Sequence, residues 1–391
     1  MMMLETIFWG LAAAVFYTYI GYGIILAALV FMQRLQGNKK KVAEAGQFEP
    51  KVALVIAAYN EKECIEQKVQ NSFQLDYPKE KIEIVFVTDG SSDGTPDLLK
   101  KFDGITVLHE AERKGKVAAI NRVMPLITAP VTIFSDANAM LNPEAIREIV
   151  RQYRNPQVGA VAGEKRIRSP KSDKAAGAGE GIYWKYEASL KKMDAELYSV
   201  VGAAGEIFSV RTNLFETLEP DTLLDDFMIS LRVAQKGYRV MYAPEAYAIE
   251  SPSSSIKEEL KRKVRICAGG IQSIVRLKAL LNPFRYGMLA FQYVSHRVLR
   301  WSIAPLALVL MIPVSYLLMT AYGGLYTMIF FGQAAFYFLA LLGWYLENKQ
   351  ISIKILFVPY YFFIMNLAVY LGFVRYVKGQ QSVLWERAGR A

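Results

Sequence analysis

Three stretches of this chain carry no charged side chain: Ile7 to Met32, Trp301 to Leu346 and Ile355 to Val374. A helix needs ~20 apolar residues to cross a bilayer. The first stretch predicts one span, within residues 1–33. It is too long for a signal-peptide core and lacks a basic start, so it reads as a retained anchor. The second predicts two spans, with "AYGGLY" (321–326) at the turn, and the third one more segment, all within 302–375. Pro359 falls early in that last segment and predicts a break, so that it enters the membrane without crossing. Whatever folds in water must therefore fold between these stretches. Residues 34–281 have the mixed composition and the length for a core of their own. "NPFRYGMLAFQYVSHRVLRW" (282–301) mixes aromatic, apolar and Arg residues, which predicts an amphipathic helix lying at the interface.

The formal net charge of +10 is concentrated beside the apolar stretches. Arg34, Lys39, Lys40 and Lys41 follow the first one, the pattern of a cytoplasmic flank. This places the central domain in the cytoplasm of an integral protein of the inner or plasma membrane, facing membrane lipids. The tail, 376–391, is basic as well, next to Arg375 and with Lys378, Arg387 and Arg390, which argues for the same side. No motif for nucleic acid accompanies the charge, and no nucleic-acid partner is expected. Two cysteines, Cys64 and Cys267, make neither a disulfide framework nor a zinc spacing. With His109 and His296 the only histidines, a divalent metal would have to be held mainly by oxygens. Walker and GxGxxG phosphate loops are absent.

Within the central region, apolar runs alternate with helical spacing. "KVALVIAAYNE" (51–61), "KIEIVFVTDGSSDGT" (81–95), "ITVLHE" (105–110) and "PVTIFSDAN" (130–138) read as strands. "IEQKVQNSFQLDY" (65–77), "PDLLKKF" (96–102) and "GKVAAINRVMPLI" (115–127) read as helices between them. This order predicts an α/β domain with a mostly parallel sheet and helices on both faces. Ligands then bind beyond the carboxyl ends of the strands. Three strand exits carry polar groups there: Tyr59-Asn60-Glu61, Asp89, and Asp136 with Asn138. "SPKSDKAAGAGEG" (169–181) reads as a loop, and "SPSSSIKEE" (251–259) as a loop leading into a helix.

Each polar group has a chemical and a structural reading. Asp136-Ala-Asn138 offers two hard oxygens to Mg²⁺ or Mn²⁺, or forms an Asx turn before a helix capped by Asn142. Asp89 can accept from a base N–H or a ribose hydroxyl, or serve the turn made by Gly90 and Gly94. Tyr59 can stack on a nucleobase or pack in the core. Lys116, after Arg113 and Lys114, stands at a helix start that suits phosphate, or is a solvated turn. Asp225 and Asp226 open an amphipathic helix, as caps or with one acting as general base. Arg262 and Arg265 can fork onto a diphosphate or hold anionic lipid. Tyr183, Trp184 and Tyr186 offer aromatic faces to a sugar, or pack a helix.

Taken in order, "AAYNE", "VTDGSSDGT", "RKGKVAAINRV", "FSDANA", "GAAGEIFSVR", "LLDDFMISLRVAQKGYRV" and "RKVRICAGG" resemble the membrane-integrated family 2 glycosyltransferases, which include cellulose, hyaluronan and poly-N-acetylglucosamine synthases. The resemblance spreads over most of residues 51–278. It implies a GT-A fold beside transmembrane helices and inverting transfer of a hexose or N-acetylhexosamine from a UDP-sugar. It puts donor contacts on Tyr59, Glu61, Asp89, Asp136 and Arg265, to which the reading of the basic residues above adds Lys116 and Arg262. The metal would sit on Asp136 and Asn138, and the catalytic acids would be Asp226, as base, and Asp225. The acceptor would lie near Gly202 and Glu206, with Trp184 as a further candidate from its aromatic face, and would be a growing polysaccharide or, as the alternative, a membrane lipid receiving one sugar. An inactive homologue serving as a membrane assembly subunit is a further alternative, and an accessory membrane subunit fits either active form. Processive members carry Q-x-x-R-W after the acidic pair. Here the residues are Arg262-Lys-Val-Arg265-Ile266, which keep the arginine and lack the Gln and Trp. Transfer is therefore implied and processivity is not.

Overall fold

The computed structural model describes residues 2–37, 48–167, 175–251, 256–349, 353–380 and 382–384. Lys39 to Lys41, Arg387 and Arg390 lie outside the described residues, as do 168–174 and 252–255.

Among the described residues, eight strands form one sheet: β1 (Val52–Ala58), β2 (Ile82–Asp89), β3 (Thr106–Glu110), β4 (Val131–Asp136), β5 (Met140–Leu141), β6 (Val158–Ile167), β7 (Ile207–Arg211) and β8 (Arg239–Glu250). Their order is β3-β2-β1-β4-β7-β6-β8-β5. The first four run parallel, as expected. β7 runs against both β4 and β6, and β5 against β8, so the sheet is mixed. Successive β1 residues point to opposite faces because the side-chain period of a strand is two. Ala53 and Val55 join the apolar cluster on one face, Leu54 and Ile56 that on the other.

Helices cover both faces. α1 (Met2–Phe16) and α2 (Tyr22–Leu35) precede the sheet. α3 (Lys62–Phe73), α4 (Thr95–Leu99), α5 (Lys116–Val123) and α6 (Ala145–Gln152) connect its strands. Ile65 and Val69 of α3 pack with Ile146 and Ile149 of α6 on one face. Val117 and Ile120 of α5 pack on the other, with Met228 and Leu231 of a later helix. That helix is α8 (Asp225–Gln235), after α7 (Ala175–Leu197) and before α9 (Ile256–Arg276). Part of the loop expected at 169–181 is thus helical, since α7 begins at Ala175. Asn142 does not cap α6, which starts at Ala145. Its side chain instead donates to the Glu245 carbonyl and accepts from the Tyr247 N–H, stapling this turn to β8.

Next come α10 (Pro283–Tyr293), α11 (Leu299–Trp301), α12 (Ile303–Tyr322), α13 (Gly324–Asn348) and α14 (Lys354–Val377). The interfacial helix expected over 282–301 is not one element. Gly287 breaks it at φ 48°, because only glycine takes that conformation cheaply. Before the break Phe284 is 99% exposed; after it Leu289 and Tyr293 enter the sheet-side core. α14 runs unbroken through Pro359, against the expected break. Pro359, the sixth residue of α14, removes one interior backbone bond, and the remaining turns of this 24-residue helix carry it through. Among the described residues, four helices are long and apolar enough to cross a membrane: Met2–Leu35, Ile303–Tyr322, Gly324–Glu347 and Ile355–Val377. The last packs along α9, where a Cβ on Gly372 would come 2.7 Å from Cys267 Cβ.

Candidate active site

β1, β2 and β4 end side by side, and their parallel register brings Tyr59, Asp89 and Asp136 to one edge of the sheet. Beyond that edge lies a cavity of about 910 Å³. All the expected donor residues line it: Tyr59, Glu61, Asp89, Lys116, Asp136, Arg262 and Arg265. Asn138, Glu206, Asp225 and Asp226 line it too. Three helices feed the same hollow: α5 with Lys116, α8 with its two acids, and α9 with its two arginines.

The centre of the site is a cation among carboxylates. Lys116, the first residue of α5, places Nζ 2.8 Å from Asp136 Oδ1 and 3.1 Å from Asp225 Oδ2. Gly205 passes beside them: a Cβ there would sit 3.3 Å from Lys116 Nζ, 3.4 Å from Asp226 Oδ2 and 3.6 Å from Asp136 Oδ2. Burial pushes the Lys116 ammonium down, but Asp136, Asp225 and Asp226 together hold it above its ordinary value. Asp136 is pushed up by burial, with Lys116 pulling against it. Burial and the adjacent Asp225 push Asp226 up to about 7. A carboxylate tuned in this way suits a general base working near neutral pH.

Around this centre the polar groups divide by task. Asp89 Oδ2 accepts from the Lys114 and Gly115 N–H groups at 2.9 and 2.6 Å. Its Oδ1 is buried without a hydrogen-bond partner among the described residues, with Arg122 Nη1 3.8 Å away. The residue as a whole lines the cavity. The Arg113 guanidinium lies 3.6 Å over the Tyr59 ring, so one face of that ring is already stacked. Glu61 Oε2 accepts from the Cys64 thiol. Arg262 is forked onto Glu259 at 2.9 and 2.8 Å. Burial pulls the Arg265 guanidinium below its ordinary value, against the attraction of Asp225 and Asp136. Lys165 bridges Glu206 and Glu250. Burial opposes charge on Glu206, but Lys165 and Arg262 hold it down at about 2.

Asn138 Oδ1 is buried without a hydrogen-bond partner among the described residues. With Asp136 it fits a hard divalent cation. No group of three or more His, Cys, Asp or Glu able to hold a metal occurs among the described residues. An ion on Asp136 and Asn138 would thus leave most of its coordination for substrate oxygens and water.

One of the expected acceptor residues is placed differently. Gly202, at φ 93°, is buried behind Phe227, where a Cβ would meet the ring at 2.2 Å, and it does not line the cavity. The Trp184 side chain lies outside the described residues. Other lining groups carry no motif. Arg297 and Arg300, 2.7 and 2.9 Å from Glu187, enter from the segment before α12. Trp301 lines the cavity 5.5 Å from the Phe227 ring and flush against Gly270 of α9. Phe357, Tyr361, Met365 and Val369, spaced at every fourth residue along α14, form an apolar wall. Their spacing is visible in the sequence, but nothing there says which face meets a cavity.

Residues 53–218 match the family model described as glycosyl transferase family 2. A poly-beta-1,6-N-acetyl-D-glucosamine synthase of Staphylococcus aureus is 27% identical over 250 residues, 61% of this chain and 59% of that protein. The synthase of the same name from Staphylococcus epidermidis is 25% identical over 236 residues, 58% of this chain and 56% of that protein. The match thus spans less than two thirds of these relatives. A mannosyltransferase from Pyrobaculum calidifontis, solved in complex with GDP-Man and Mn2+, superposes with a TM-score of 0.72 over 97% of this chain and 100% of that one, at 21% identity. That likeness is one of fold. Residues 53–218 therefore match the family 2 glycosyltransferase model within a GT-A-like fold, and the chain also has helices long and apolar enough to cross a membrane.

Proposed function

We propose that this chain transfers a sugar from a UDP-sugar to a hydroxyl of a growing polysaccharide at the membrane, with inversion and with Mg²⁺ or Mn²⁺ bound. The observation that carries the reading is the gathering of Asp136, Asp225, Asp226, Lys116 and Arg265 around one cavity at the strand ends. The name of the staphylococcal relatives supports a polysaccharide product.

Asp226 accepts the proton of the acceptor hydroxyl as its oxygen attacks the anomeric carbon from the face opposite the leaving diphosphate. Lys116 and Arg265 meet the negative charge that builds on that diphosphate, and fixed charges of this kind are often the largest catalytic contribution. Asp136 and Asn138 would hold the divalent ion, which supplies Lewis-acid neutralisation of the diphosphate when bound. Asp89 Oδ1 is the acceptor for a base N–H or ribose hydroxyl, and the Tyr59–Arg113 stack borders the same cavity. The fold neighbour holds GDP-Man, so the base is the part of the donor to test first. UDP and GDP release measured over a panel of nucleotide sugars does so, and preference for a GDP-sugar refutes the uridine reading.

Asp226→Asn is the test of the mechanism. The expected result is a ~10²–10⁴-fold loss of transfer with donor binding retained. Full transfer by this variant removes the assignment.

A second reading, addition of one sugar to a lipid, is favoured by the apolar wall of α14 along the cavity. The absence of the Gln and Trp around Arg265 points the same way.

A further inference from the structure

Lys68 lies in the middle of α3 and is fully buried. Among the described residues its ammonium makes no ion pair. It donates instead to Ser135 Oγ at 2.8 Å and to the Ala139 carbonyl. These two residues flank Asp136-Ala-Asn138. The Ala139 N–H returns to the Asp136 carbonyl at 3.2 Å and closes the turn. Ser135 Oγ passes its own hydrogen to the Glu206 carbonyl at 3.0 Å, next to Gly205. One buried amine therefore grips both ends of the turn and, through Ser135, the segment that borders Asp226.

Packing α3 on the sheet does not need a polar head, since Ile65 and Val69 on the same helix do that work. A buried ammonium bonded only to neutral oxygens is costly, and an apolar side chain of similar length would fill the space. Lys68 does not line the cavity, so it touches no substrate. We infer that Lys68 is a positioning residue, clamping the Asp136–Asn138 turn in the shape that receives the divalent ion. The inference rests on the metal-dependent reading above.

The test uses the full chain in detergent or lipid nanodiscs, with Mn²⁺ binding in the presence of UDP read by electron paramagnetic resonance, without turnover. Lys68→Met, Ser135→Ala and Asp136→Ala are compared with the unmodified protein. Groups that orient metal ligands typically contribute ~10–100-fold in metal affinity, and a loss in that range is expected for Lys68→Met. Ser135→Ala, which removes one of the two anchors, should show a smaller loss, and it serves alone if Lys68→Met does not fold. Donor turnover by Lys68→Met should recover as Mn²⁺ is raised, which a general loss of folding would not do. Wild-type Mn²⁺ affinity in both variants, with binding lost in Asp136→Ala, overturns the role of Lys68 and leaves the metal site standing. No Mn²⁺ binding by the unmodified protein overturns both.

Discussion

Two adjacent acids with different partners differ in which of them can work as a base. Asp225 faces Lys116 at 3.1 Å, while Asp226 is pushed up to about 7 by burial and by Asp225 itself. The base form of Asp226 is lost as pH falls through 7, so transfer should decline below that pH, as a kcat/KM profile would read. The linkage has a stability side. Asp226 binds its proton more tightly folded than unfolded, where a carboxyl titrates near ~4. Its contribution therefore favours the folded state increasingly as pH drops from 7 toward 4, and its charge is a cost above 7. Asp226→Asn should then raise Tm at pH 8, and the gain should shrink toward pH 4 in parallel melts. At this scale the sequence is informative where a residue sits in a motif at a strand exit, as Asp89, Asp136 and Asn138 do. Lys68 is illegible there because "EQKVQ" looks like a solvated helix face, and only tertiary packing turns it inward.

Elements are legible where periodicity is strong. β1, β2 and β4 follow from their apolar runs, and α8 from its amphipathic spacing. The start of α7 is hidden because Ala and Gly give no period, and the segment before α12 because its break at Gly287 depends on backbone conformation. That segment delivers Trp301 to the cavity, beside α9, where Ile266 stands in place of the family's Trp. Trp301→Ala should raise KM for the acceptor about 2- to 10-fold, the range of an aromatic contact, with donor KM unchanged; Trp301→Phe should retain most of it. Equal changes in both KM values would refute an acceptor role. Gly202→Ala tests the other side of Phe227. Its φ of 93° and the 2.2 Å approach to that ring leave no room for a methyl group, so Phe227 and Asp226 must shift. A lower kcat with nearly unchanged donor binding is the expected outcome, checked by kinetics and UDP titration.

For the molecule as a whole, the apolar helices and the central domain are legible from charge and length alone. The route of the last helix is not, because its contacts with α9 join residues about a hundred positions apart in the chain, as Gly372 and Cys267 do. The polysaccharide reading predicts long products from labelled UDP-sugar in reconstituted vesicles. Products that stop at one added sugar on a lipid would decide for the second reading.

Beyond α14 the chain turns back, and the Val383 carbonyl comes 3.3 Å from where a Cβ of Gly115 would stand. Gln380, Ser382 and Leu384 border the same cavity. Under the proposed function, an affinity handle or reporter joined just after this stretch would hang at the mouth of the cavity that takes the nucleotide sugar. Purification tags belong elsewhere, while a small fluorophore at Ser382 would make nucleotide arrival visible as a change in its emission.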